Sequence, residues 1–312
     1  MIPEVRPALD RLFRPESVAI IGASSDPGKT AGRPLKFLRQ HGFNGAVWPV
    51  NPRYESIGGE TCYPDLEALP HAPDAAVILV GPSHAEQYLR NLNQMGTAAA
   101  IVIGGGYAEI GEEGLRRQNI LRDAAGDMRL LGPNTIGLVN LVDNVTLSAS
   151  GALDVEDRHQ GKIAVVSQSG GILGSILSRA SYRGIGLSHL VATGNEADLE
   201  ICDFVEFLLD DPATSVIALY LEALRQPDRF RQIARRSGQM GKTLVAYKVG
   251  RSEPGARSAA SHTGALAGED RLYDALFRQS GIIRVQNFDD LIDVPMALTG
   301  HKKLESKRLG IL

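Results

Sequence analysis

Cysteine is nearly absent: among 312 residues there are two, Cys62 and Cys202. Two thiols in separate expected domains build no disulfide framework. The histidines outside the segment treated below, His41, His71, His84, His159, His189 and His301, show no spacing to cysteines or carboxylates that forms a metal site. No apolar run approaches the roughly 20 residues of a membrane-spanning helix. The first residues, MIPEVRPALDRLF, lack the apolar core and cleavage site of a signal peptide. A formal net charge of -3 supplies no cationic excess for nucleic acid or an anionic membrane. These absences point to a cytoplasmic protein with no metal site of its own and small-molecule partners.

The length suits two domains, each large enough for its own core. From Ser17 the run SVAIIGAS ends on a glycine turn and passes into the helical pattern RPLKFLRQHG. Apolar strands then start at Ala46, near Ala75, at Thr97 and at Met128, with helices from Ser83 and around Gly114 to Ala125. Short apolar strands alternating with amphipathic helices predict a parallel sheet covered on both faces. Residues 1–150 are therefore expected to form a Rossmann-type domain. The small, polar stretch between Leu147 and Gln160 reads as a linker or exposed loop. Residues 151–305 repeat the alternation and predict a flavodoxin-like, doubly wound domain, leaving 306–312 as a tail or the start of a further domain.

In such sheets ligands bind at the carboxyl ends of the strands. Those ends carry Gly22-Ala23-Ser24, Asn51-Pro52, Gly81-Pro82, Gly104-Gly105-Gly106 and Pro133-Asn134. A dinucleotide site requires G-x-G-x-x-G and an acidic residue about 20 positions on. Here Asn51-Pro52-Arg53 stands where the carboxylate belongs. With Lys29 and Arg33 at the first helix start and Arg53 across the crevice, coenzyme A fits better than NAD, since it carries a pyrophosphate and a 3′-phosphate.

Three features of the second half carry chemistry. Arg251 to Glu269, RSEPGARSAASHTGALAGE, sets His262 among small residues. The residues alone admit a histidine in a surface loop or a covalent carrier, for which neutral imidazole is both nucleophile and leaving group. Ser167-Gln168-Ser169-Gly170-Gly171 lies where a strand meets a helix start and reads as a phosphate cradle, or as a serine cap with glycines for packing. Glu222 ends an apolar strand, where a carboxylate faces a crevice, finds a partner or is solvated. From there it can orient a histidine of the next loop.

SVAIIGAS, WPVNP, GPNTIG, VVSQSGG, TGNEADLEICDF, LYLEAL and GARSAASHTGALAG resemble, in order and spacing, the NDP-forming acyl-CoA synthetases, the superfamily that includes the succinyl-CoA ligase α-subunit. The resemblance covers nearly the whole chain. It implies that His262 is phosphorylated in turnover, that Glu222 supports it, and that Ser167, Gln168, Ser169, Gly170 and Gly171 receive the phosphate. Gly22, Ala23, Ser24, Arg53, Gly104, Gly105, Gly106 and Asn134 fall where the family holds CoA. The implied reaction is a reversible relay in which phosphoryl passes from a nucleoside triphosphate to His262, then to a carboxylate, and CoA displaces it to give acyl-CoA. ATP or ADP and Mg would be held by an ATP-grasp β-subunit or domain, which this sequence lacks, and the assembly is expected to be oligomeric. Val80-Gly81-Pro82 and Thr135 depart from the usual VPA and Cys, and the closing KRLGIL resembles the first strand of a further domain. The resemblance also admits a CoA- or acyl-CoA-sensing module, as in some protein acetyltransferases, although a sensor has no need of both His262 and Glu222.

Overall fold

Strands with no polar alternation must be covered on both faces, and the apolar runs of the first half are buried but for the first residues of two of them. In the computed structural model, which describes residues 6–155, 158–250 and 270–300, these are β1 (Ser17–Ile21) and β2 (Ala46–Val50), then β5 (Ala75–Ile78), β6 (Ala99–Val102) and β7 (Arg129–Leu131) after a small hairpin of β3 (Ser56–Ile57) and β4 (Glu60–Thr61). The five long strands pair in parallel in the order β2-β1-β5-β6-β7. Four helices accompany them: α1 (Ala8–Phe13), α2 (Arg33–Gln40), α3 (Pro82–Met95) and α4 (Glu112–Ala125). Prolines in the first turn of α2 and α3 cost nothing there, because those amides have no partner within the helix.

The second sheet comprises β8 (Gly137–Asn140), β9 (Val145–Ser148), β10 (Gln160–Ser167), β11 (Leu187–Ala192), β12 (Val216–Leu221), β13 (Thr243–Lys248) and β14 (Ile283–Arg284). Its order is β14-β13-β12-β10-β11-β8-β9. Helices α5 (Gly170–Tyr182), α6 (Ile201–Asp210), α7 (Pro227–Gln239), α8 (Asp270–Ser280) and α9 (Asp290–Gly300) belong to this half. From β10 onward the strands are parallel, and β11-β10-β12-β13-β14 is the flavodoxin-like order with its reversal between β10 and β12. Among the described residues no helix is long and apolar enough to cross a membrane.

The division between sheets differs from the expected boundary near residue 150. The β8–β9 hairpin pairs antiparallel with β11, Leu190 opposite Val139, so the second sheet is mixed and takes its first strands from before the polar stretch. At the level of strand pairing the division falls between Leu131 and Gly137. Composition marks an exposed loop but says nothing of which sheet a hairpin joins. Gly137, at φ 92°, opens that hairpin, and a Cβ there would lie 2.0 Å from the Leu147 carbonyl oxygen. Gly137→Ala is therefore expected to destabilise the chain by about 3 kcal/mol, combining backbone strain with overpacking, read as a lower midpoint of thermal unfolding.

The two sheets share a core. Leu12 and Phe13 of α1 lie in one buried cluster with Val18 and Ile101 of the first sheet and Leu138, Val191 and Phe204 of the second half. Phe13 stacks on Phe207 at 4.3 Å between ring centroids. Burial of each such side chain contributes about 1.5–3 kcal/mol, which fixes the halves against each other and gives the cleft between them a defined shape.

Candidate active-site cleft

The carboxyl ends of β10 and β12 flank the reversal in strand order and open on a cleft of about 1100 Å³. The second domain contributes Gln168 to Ile172, Gly194, Asn195, Tyr220 and Glu222 to its lining, and the first contributes Thr30, Arg33 and Ile103. Asn134, between the sheets, lines it too. Thus Glu222, Asn134 and four of the five cradle residues come together. Gly22, Ala23, Ser24, Arg53, Gly104, Gly105, Gly106 and Ser167 are not on this lining. His262 lies outside the described residues.

At the start of α5, Ser169 is the N-cap residue but makes no side-chain cap hydrogen bond. Serine capping therefore does not describe this turn; Gly170 does pack closely, since a Cβ there would lie 3.0 Å from the Ile136 side chain, but a Cβ at Gly171 would meet nothing within 4 Å. The first-turn amides of α5 open on the cleft with the helix's positive end behind them, a geometry that suits an anion. Ser167 differs from expectation. It is fully buried, and its hydroxyl donates to the Ser169 carbonyl at 2.7 Å and accepts from the Ser169 N–H at 3.1 Å. It shapes the turn from below.

Gln168 is also committed elsewhere. Its Nε2 donates to Ala223 O at 2.8 Å and to Glu196 Oε1 at 3.1 Å, while its Oε1 accepts the backbone N–H groups of Glu222 at 2.6 Å and Ala223 at 3.0 Å. Both donors and both lone pairs are used, so the amide has no capacity left for phosphate. It pins the chain just beyond β12 and so fixes the backbone that carries Glu222. Beside Glu222, the Tyr220 phenol also lines the cleft, and burial, with the Glu222 charge adding to it, pushes its pKa up to about 12. Lys248, at the end of β13, is 1% exposed and gives its ammonium to the Val249 carbonyl, 4.7 Å from the Tyr273 ring centroid. Burial lowers its pKa.

In the first domain the cations take unequal places. Arg33 lines the cleft and donates to Ala149 O at 3.2 Å. Lys29 stands in solvent 3.8 Å from Asp26. Arg53 is exposed and forms no ion pair among the described residues. The end of β1 is tied to the end of β2: the Gly22 N–H donates to Val50 O, and Asn51 Nδ2 to Ala23 O at 2.8 Å. Asn51 Oδ1 accepts the Arg53 N–H at 3.0 Å.

A CoA-binding domain model matches residues 16–140, and a succinyl-CoA ligase-like flavodoxin domain model matches residues 160–298. The chain is 35% identical over 293 residues to the α-subunit of acetate–CoA ligase (ADP-forming) II of Pyrococcus furiosus, spanning 93% of this chain and 63% of that one. It is 36% identical over 300 residues to the acetate–CoA ligase (ADP-forming) of Methanocaldococcus jannaschii, spanning 96% of this chain and 41% of that one. Among solved structures, acetyl-coenzyme A synthetase 1 of Ca. Korarchaeum cryptofilum, in complex with phosphate and ADP, superposes with a TM-score of 0.90 at 34% identity, covering 96% of this chain and 64% of that one. The chain belongs to the NDP-forming acyl-CoA synthetase superfamily. It carries the superfamily's CoA-binding and ligase-type flavodoxin domains and spans between two fifths and two thirds of these relatives.

For a member of this superfamily, the Gly104-Gly105-Gly106 turn has an unexpected occupant. Glu109 Oε1 accepts the N–H groups of Gly106 and Tyr107, and its Oε2 accepts Asn195 Nδ2 at 2.5 Å. Burial pushes this carboxyl up, but the Asn195 amide and the turn's own N–H groups outweigh it and hold the pKa below the usual range. Two backbone amides of this turn, assigned to CoA by resemblance, already hold a carboxylate. Asn195 is a hub: it also donates to Gln118 Oε1 at 3.1 Å, accepts Asn134 Nδ2 at 3.2 Å, and receives Arg225 on its carbonyl at 2.8 Å. Glu109, Asn195, Glu196 and Arg225 were not expected from the residues. Asn195 and Glu196 fall in the stretch TGNEAD, which carries likeness without stating a contact, and Glu109 and Arg225 have no such signal.

Proposed function

We propose that this chain is the CoA-binding, phosphohistidine-bearing component of an NDP-forming acyl-CoA synthetase. It serves the reversible conversion of a carboxylate, CoA and a nucleoside triphosphate into acyl-CoA, nucleoside diphosphate and phosphate. The carrying observation is that Glu222 and the uncapped start of α5 line one cleft at the switch point of the second sheet, a cleft that also takes Arg33 from the CoA-binding domain. Phosphoryl transfer depends chiefly on positioning and charge stabilisation. The α5 amides supply the anion-stabilising end, Glu222 orients the His262 imidazole so that its other nitrogen attacks, and Ser169, Gly170 and Gly171 surround the phosphoryl group. ATP or ADP and Mg are assigned to an ATP-grasp partner subunit or domain. The relatives described above bear ligase names, and none favours a sensing module without turnover.

CoA is assigned to the carboxyl edge of the first sheet, with its phosphates near Ser24 and Arg53. Arg53→Glu places like charge beside those phosphates. At an effective dielectric of about 20 this is expected to weaken CoA binding by at least a few-fold, measured by calorimetry on the chain. Unchanged affinity moves the adenosine end elsewhere. The function itself is tested by supplying the full gene product with an ATP-grasp partner, ATP, Mg and CoA over a panel of carboxylates. Acyl-CoA and ADP should appear in equal amounts and only when all substrates are present.

A further inference from the structure

Glu196 is a costly residue in its place. It stands at φ 54°, a left-handed conformation that glycine and asparagine tolerate and glutamate rarely adopts. Its side chain is 3% exposed, and a carboxylate at such burial is unfavourable unless fully engaged. It is engaged on both oxygens: Oε1 accepts Thr193 Oγ1 at 2.9 Å and Gln168 Nε2 at 3.1 Å, and Oε2 accepts Arg225 Nε at 3.2 Å. Glu200, at the start of α6, is the other charged group that bears on it.

The consequence runs through Gln168. Reversing the Gln168 amide would set its NH2 against the Glu222 and Ala223 N–H groups, where nothing accepts. Glu196 Oε1 and the Ala223 carbonyl both accept from Nε2, and together they fix which way the amide faces. β12 ends at Leu221, so the N–H of Glu222 is held by this side chain and not by a strand neighbour. We propose that Glu196 is a positioning residue for Glu222, setting through Gln168 where that carboxylate stands in the cleft. The proposal rests on the functional reading above for its effect on turnover, but its structural half stands on the contacts alone.

Two substitutions in the full gene product test it. Glu196→Gly removes the side chain and relieves the backbone, and the Arg225 left behind is already 42% exposed. The melting midpoint should stay level or rise. Amide exchange in a peptide spanning 220–224 should accelerate about tenfold or more, and phosphoryl transfer to His262 with the ATP-grasp partner should fall about ten- to a hundredfold, the scale of a small misplacement. Glu196→Gln keeps an oxygen facing Gln168 and Thr193 and should recover most of the rate. Burial pushes Glu196 up to about 7, against the pull of Arg225. Protonation as pH falls through that value loosens the Arg225 pair but, like Glu196→Gln, leaves an oxygen facing Gln168 and Thr193, so the pH profiles of wild type and Glu196→Gln should coincide across it. Full transfer rate and full amide protection in Glu196→Gly overturn the proposal. The exchange measurement needs no substrate. Lost protection in Glu196→Gly beside a wild type that never phosphorylates therefore refutes the functional reading while supporting the positioning contact.

Discussion

His262→Asn should abolish acyl-CoA synthesis, by on the order of 10⁴-fold or more, while CoA affinity stays within error of wild type. Removing the nucleophile of a covalent relay leaves no path for the phosphoryl group, and losses of this size are usual when a covalent catalyst is removed. Asparagine is close to imidazole in polarity and shape but forms no stable phosphoryl adduct under these conditions. CoA affinity is the internal control. The first domain, to which the CoA phosphates are assigned, has its own five-stranded sheet, whose strands all lie between Ser17 and Leu131. A variant that loses both activities points to a folding defect, and one that keeps synthesis shows that the histidine is not the carrier. Rates of acyl-CoA formation with the ATP-grasp partner, together with calorimetry on the same preparations, separate these outcomes.

Glu222→Gln should lower phosphoryl transfer by about a hundredfold, the ordinary scale of an orienting or general-base carboxylate, with the fold intact. The backbone at this position is held by the Gln168 carbonyl oxygen through the Glu222 N–H, and an amide side chain leaves that bond in place. The loss therefore reports the carboxylate's charge and not its chain position. Glutamine still accepts a hydrogen bond from an imidazole N–H but no longer stabilises the positive charge that develops as the other nitrogen attacks. The defect should appear in the transfer step with CoA affinity unchanged. A rate equal to wild type assigns Glu222 to solvation of the strand end. Single-turnover phosphorylation, monitored at His262, distinguishes a slow chemical step from slow product release.

Much of the fold is legible because many of its strands are short apolar runs, a pattern that buried parallel strands force on a sequence. Ser17–Ile21, Ala99–Val102 and Val216–Leu221 stand out for this reason. The β8–β9 hairpin does not, since sheet membership is decided by pairing with β11 across about 50 positions of sequence, beyond any local pattern. The cleft is partly legible in the same sense. Glycines after a strand mark Gly170 and Gly171, and a carboxylate closing an apolar strand marks Glu222. Side-chain direction is another matter: Ser167 and Gln168 have the right residue types for a phosphate ligand and turn instead to their own turn and to Ala223. Glu109, filling the amides of Gly106 and Tyr107, is invisible in sequence for the same reason. Glycine-rich turns show that a backbone is open to an anion. Only the fold shows whether the protein fills it with one of its own.

The central claim is that His262 carries phosphoryl between the acyl group and the nucleotide, and it is tested most directly from the acyl side. Full gene product is incubated with acyl-CoA and isotopically labelled inorganic phosphate, without nucleotide, alongside its His262→Asn variant and in the presence of the ATP-grasp partner. Acyl phosphate forms first and the imidazole then attacks it, so wild-type protein should acquire label on a peptide containing His262, and that label should be lost in acid and kept in base, as a phosphoramidate requires. Addition of ADP should discharge it as ATP. Label that persists in His262→Asn, or that resists acid in the wild type, contradicts the account and returns the segment to a surface loop.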